Sequence, residues 1–130
     1  MAVDEFRAAV RHRGEVSLID LAGDIDIAAD KRLREAYAEA VCTGPGTLVL
    51  NFEQVGYINS TGIALIVELL ARARSERRTV AACGLVDHYR EIFQITRLSD
   101  FMRIYADEDA AVGSTTATTE RSAGSKERER

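Results

Sequence analysis

Apolar positions along the chain change period several times, and each change marks an element. Phe6–Val10 and Val16–Leu21 are short runs of strand character. The segment between them, Arg11-His12-Arg13-Gly14-Glu15, carries a glycine suited to a hairpin turn. From Ile27 to Cys42 the residues Ala29, Leu33, Ala36, Tyr37, Ala40 and Val41 recur at helical spacing, with Lys31, Arg34, Glu35 and Glu39 on other faces. Asp26 is placed to cap that helix. Thr-Gly-Pro-Gly at 43–46 then breaks the chain before Thr47–Phe52, a compact apolar run that reads as a buried strand ending at Phe52. A second helix is expected from Asn59 or Ser60, with Ile63, Ile66, Val67 and Leu70 as its core face and Arg72, Arg74 and Glu76 at its solvated end. Thr79–Cys83 reads as another strand, closed by Gly84. A helix over Val86–Gln94 and a last strand over Phe101–Tyr105 complete the series.

The order ββαβαβαβ predicts an α/β fold: a central mixed, largely parallel β-sheet with crossover α-helices packed against it. No internal repeat occurs at a fixed period. Composition changes after Gly113, where the last 17 residues hold seven Ser or Thr, seven charges and no apolar side chain larger than alanine. Such a segment cannot bury enough surface to offset its ordering entropy. Residues 1–112 are therefore expected to form one folded domain, and 113–130 a disordered polar tail.

Of the 130 residues 46% are hydrophobic and 29% charged, the profile of a soluble globular chain whose single core needs neither metal nor disulfide. Acids outnumber bases 21 to 17 and no basic stripe with interleaved aromatics occurs, which argues against direct nucleic-acid binding and for a protein partner. Apolar runs are too short to span a bilayer, and the first ten residues carry acids where a signal peptide needs bases. The expectation is a cytoplasmic protein without membrane insertion. Cys42 and Cys83 are too few for a zinc site and have no redox-pair spacing, so both are read as semi-buried thiols.

Catalysis needs a cluster of reactive side chains, and the sequence offers little. His12 falls in the expected turn and His88 at a helix start, so no Ser–His–acid arrangement can be assembled. Ser60 is not in the Gly-x-Ser-x-Gly context of a nucleophile elbow. Asp24 and Asp26 lie two residues apart without a third acid to complete a metal site; capping and loop solvation account for them. No catalytic residue, metal or cofactor is expected. One segment does stand out: after the strand at 47–52, the tetrad Asn59-Ser60-Thr61-Gly62 opens a strongly apolar helix. Asn, Ser and Thr side chains satisfy first-turn amides, which accounts for part of this composition. A phosphate on Ser60 would meet free amides and the positive end of the helix dipole, so the fold would tolerate it. The same phosphate adds about two negative charges to the surrounding surface and would repel a partner packed there.

Three features together resemble the STAS domain of the anti-anti-sigma factors: Leu21-Ala22-Gly23-Asp24-Ile25-Asp26 before the first helix, the strand-loop-helix run Leu48–Leu65 with its tetrad, and the pattern from Gly84 through Phe93 to Ile104-Tyr105. They cover residues 6 to 110. The resemblance implies a STAS-like fold and a non-catalytic regulator that binds an anti-sigma factor of histidine-kinase-like fold and so frees a sigma factor. It implies that the anti-sigma factor phosphorylates Ser60 and that a metal-dependent serine phosphatase resets the cycle. Asn59, Thr61 and Gly62 would belong to the partner surface, and Asp24 and Asp26 match the family's acidic loop beside it. One departure is that Asn59 stands where the best-known switches carry aspartate, which removes a charge while keeping the capping geometry.

Two other readings compete. A STAS-like module that works without phosphorylation, partnering a transporter or a signalling complex, needs the same fold and is favoured by Asn59. A small nucleotide-binding α/β enzyme would place its ligand at the loop before Ser60. Gly62 alone is neither a Walker loop nor a glycine-rich fingerprint, and no lysine follows it.

Overall fold

The computed structural model describes residues 5–43 and 46–113. Strands β1 (Arg7–Arg13) and β2 (Val16–Ile25) form a hairpin, and a 3-10 turn (Ile27–Ala29) leads into α1 (Asp30–Thr43). Next come β3 (Thr47–Ile58), α2 (Ser60–Ser75), β4 (Thr79–Cys83), α3 (Asp87–Ile95), a 3-10 turn (Leu98–Asp100) and β5 (Arg103–Tyr105). A further helix, α4, occupies 108–113. The expected tail lies outside the described residues beyond Gly113.

The five strands are ordered β1-β2-β3-β4-β5, antiparallel at β1/β2 and parallel thereafter. Because each crossover steps to the next strand in one direction and crossovers are right-handed, α1, α2 and α3 must all fall on one face. That face holds the main core. Ile19, Leu21, Leu48, Leu50 and Phe52 of the sheet pack with Leu33, Tyr37, Ile66, Leu70 and Phe93 of the helices. Phe52 and Phe93 meet edge to face with centroids 5.8 Å apart. On the opposite face, Val16, Leu18, Val49, Ala81 and Cys83 form a smaller cluster with Ala111 and Val112 of α4.

The mixed, largely parallel sheet with crossover helices matches the architecture expected from the pattern. Several local expectations need correction. β3 does not end at Phe52 but runs to Ile58. Its second half pairs with β2 alone, because β4 stops at the Asn51–Cys83 pair. A strand bonded on one side can carry the polar sequence Glu53-Gln54-Val55-Gly56-Tyr57, which looks like a loop when read for burial. His12 lies within β1 and not in the turn, its Nδ1 3.2 Å from the Ser17 hydroxyl. Along α2 the buried face is Leu65, Ile66, Leu69, Leu70 and Ala73, with Val67 exposed. The helix is apolar on more than one side, so periodicity alone did not fix its rotation. Phe101 is exposed and precedes β5. The thiols are not alike: Cys42 is exposed and Cys83 fully buried.

Candidate functional site

β2 and β3 end side by side, with Asp24 opposite Tyr57 and Ile25 opposite Ile58. One residue beyond that last pair stand Asp26 and Asn59, and each caps the helical turn that it precedes. The Asp26 carboxylate accepts from the Ala28 amide at 2.9 Å and starts the 3-10 turn ahead of α1. The Asn59 side-chain oxygen accepts from the Gly62 amide at 2.8 Å and starts α2. An extended residue carrying a short polar side chain is the usual solution at a helix entry, where first-turn amides lack intrahelical partners.

Ser60 is therefore the first residue of α2, and it is exposed. Thr61 is half-buried and Gly62 buried. Gly62 cannot be replaced without movement, since a Cβ there would overlap the Ile25 carbonyl oxygen and crowd the Ile58 side chain at 3.0 Å. The Asn59 amide donates to that same carbonyl at 3.2 Å. Tyr89 of α3 adds a third hold: the amide of Ile58 donates to its hydroxyl oxygen at 2.9 Å in a buried setting. The start of α2 is thus fixed by β2 through Ile25, by β3 through Ile58 and by α3 through Tyr89. These contacts anchor the backbone on either side of Ser60.

All six residues singled out in the sequence, Asp24, Asp26, Asn59, Ser60, Thr61 and Gly62, fall at this one edge of the sheet. Their character there differs. Asn59 and Asp26 are caps, Gly62 is a close-approach position, and Ser60 offers an exposed hydroxyl. Asp24 lies beside Gly56, whose added Cβ would sit 3.5 Å from its carboxylate. Asp24 and Asp26 also border a recess shared with Lys31 and Arg32, so the edge is of mixed charge and not a bare acidic patch.

Sequence reasoning missed three further residues, Ile27, Tyr57 and Tyr89. Ile27 is 66% exposed and Tyr57 55% exposed, and both adjoin the caps on this edge. The signal for Tyr57 was hidden by reading 53–58 as loop. Ile27 was counted within a helix whose first turn points outward. Tyr89 was missed because a tyrosine at helical spacing reads as core, and only the tertiary contact shows its hydroxyl beneath Ile58. Among the described residues no group of three or more His, Cys, Asp or Glu is placed to hold a metal ion. Among them, too, no helix is long and apolar enough to cross a membrane.

Comparison with known proteins gives this arrangement its setting. The family described as "Mlab, STAS domain" matches residues 8–104, which take in all five strands except the first residue of β1 and the last of β5. The anti-sigma-B factor antagonist of Staphylococcus aureus (strain NCTC 8325 / PS 47) is 27% identical over 86 residues, covering 66% of this chain and 80% of the relative. Among solved structures, an anti-sigma factor antagonist from Mycobacterium paratuberculosis superposes with a TM-score of 0.75 at 21% identity, over 87% of this chain and 96% of the other. The Bacillus cell fate determinant SpoIIAA in its phosphorylated form gives 0.63 at 22% identity, over 85% and 99%. These two structural likenesses establish a shared fold. With the family match spanning most of the folded residues, the chain belongs to the STAS domain family.

Proposed function

We propose that the chain is an anti-anti-sigma factor. In this reading the edge formed by Asn59, Ser60, Thr61 and Gly62, with Asp24 and Asp26 beside it, binds an anti-sigma factor kinase of histidine-kinase-like fold and releases a sigma factor. Phosphorylation of Ser60 ends the binding, and a metal-dependent serine phosphatase restores it. A STAS module of this kind works by binding and not by catalysis.

The observation that carries the reading is Ser60 itself: an exposed hydroxyl at the first position of α2, directly after the Asn59 cap. A phosphate there would add about two negative charges within the contact while leaving the core untouched. The helix dipole and the first-turn amides would accept the phosphate, so the domain would stay folded. Support from relatives lies in the name of the Staphylococcus aureus antagonist and in a solved phosphorylated form of SpoIIAA.

The test is a pull-down from the native host using wild-type protein and Ser60→Asp as paired baits, read by mass spectrometry. Wild type is expected to retain a kinase-fold anti-sigma protein that the Ser60→Asp bait loses. Equal retention of one partner by both baits, or retention of transporter components alone, would replace the switch by a constitutive module. Asn59 is the feature that favours this second reading, because the cap carries no charge.

A further inference from the structure

The two sheet faces are closed by unequal means. Three full helices cover one face, whereas Ala111 and Val112 of α4 supply the helical apolar contact of the small cluster on the other. A helix of so few residues has no independent stability in water and depends on its docking. Its charged contacts are correspondingly dense. Glu108 accepts from Arg11 through both carboxylate oxygens, at 2.6 and 3.1 Å, and from Arg13 at 2.8 Å. Arg13 also donates to Asp109 at 2.9 Å. Both arginines belong to β1, so the first strand of the fold holds its last described helix.

Arg11 is held in place from the sheet side as well. Its guanidinium makes two hydrogen bonds to Asp20 of β2, and Asp20 accepts a further one from Asn51 of β3 at 3.0 Å. If α4 leaves, Asp20 keeps Arg11 and Asn51, Arg11 keeps Asp20, and Glu108 and Asp109 pass into water. No buried charge is stranded. The cost of release is therefore the exposure of one small apolar cluster and the opening of a set of partly exposed ion pairs, which salt weakens.

We propose that α4 is a charge-latched strap that undocks from β2, β3 and β4 while the three-helix face stays folded, with the contacts of Glu108 to Arg11 and Arg13 setting how often it opens. Release uncovers Val16, Leu18, Val49 and Ala81 together with Cys83. Cys83 is a built-in reporter of this motion. When docked it has no exposed surface, and burial, reinforced by the carboxylate of Glu108 and others nearby, pushes its thiol up to about 11. A thiol so held is unreactive until the cover moves.

The test uses the full chain with Cys42→Ser, which leaves Cys83 as the one thiol. Its reaction with a chromogenic aromatic disulfide is followed across a urea series beside global unfolding by circular dichroism. Cys83 is expected to react at least about tenfold faster than the global unfolding equilibrium allows, with a weak dependence on urea, as local opening requires. Glu108→Gln should accelerate it roughly three- to tenfold, and added NaCl should accelerate wild type more than Glu108→Gln. Asp109→Asn, at a more exposed carboxylate, should give a smaller gain and serves if Glu108→Gln loses the fold. Reaction that follows global unfolding in every variant overturns the strap. Local opening indifferent to salt and to both substitutions overturns the latch.

Discussion

α2 and α3 both come after a parallel strand and both begin at the same edge of the sheet, yet their first turns are built differently. α2 is capped by Asn59 and pressed by Gly62 against the Ile25 carbonyl, with the Ile58 amide tied to Tyr89. α3 starts at Val86, which makes no side-chain capping bond and is 58% exposed. The core does not require such a well-made entry, since α3 manages without one and still buries Tyr89 and Phe93. The extra bonds at α2 anchor the backbone on either side of Ser60, which burial of the core alone does not demand.

The most damaging way to break this contrast is Gly62→Ala. The new Cβ would meet backbone and not a flexible side-chain end, so α2 must shift, and urea unfolding should show a loss of about 3 kcal/mol. Gly56→Ala, with only an ordinary contact to Asp24 ahead of it, is the matched control and should cost far less. Next in size is Tyr89→Phe, which leaves the buried Ile58 amide without its acceptor. A loss of about 1 to 2 kcal/mol is expected by the same measurement. Asn59→Ala removes the cap and should cost about 1 kcal/mol, whereas Asn59→Asp keeps the acceptor and should stay close to wild type. At α3, Val86→Ser should narrow the contrast from the other side by supplying the missing cap, raising stability by about 0.5 kcal/mol. Ser60→Ala is expected to change stability by less than about 0.5 kcal/mol, because its side chain is outside the core, while abolishing phosphate incorporation by the cognate kinase. Incorporation that survives Ser60→Ala would move the switch elsewhere.

Legibility in the sequence followed burial. Well-buried elements were readable: Thr79–Cys83 as a continuous apolar run covered on both faces, and α1 by the helical period of Leu33, Ala36, Tyr37 and Ala40. The second half of β3 was not, because of residues 53–58 only Ile58 is buried, too little to show a strand period. α4 was missed for a related reason. Only Ala111 and Val112 of its six described residues are buried, and its other attachments are charges whose partners lie about a hundred residues earlier. The tetrad was legible as a helix start, but the need for glycine at its last position was not. That need arises from Ile25, on a different strand.

By itself the sequence determined the alternation of strands and helices, the position of the helix entry at Asn59, and the resemblance that ties both to a family. These are local or pattern properties, set by which side chains can be buried and which can cap. The tertiary structure decided the rest: that Gly62 abuts the Ile25 carbonyl, that Tyr89 holds Ile58, and that Arg11 and Arg13 clasp Glu108. Each of these pairs residues from separate elements, and such a pairing exists only once strand order and register have placed the two chain segments side by side.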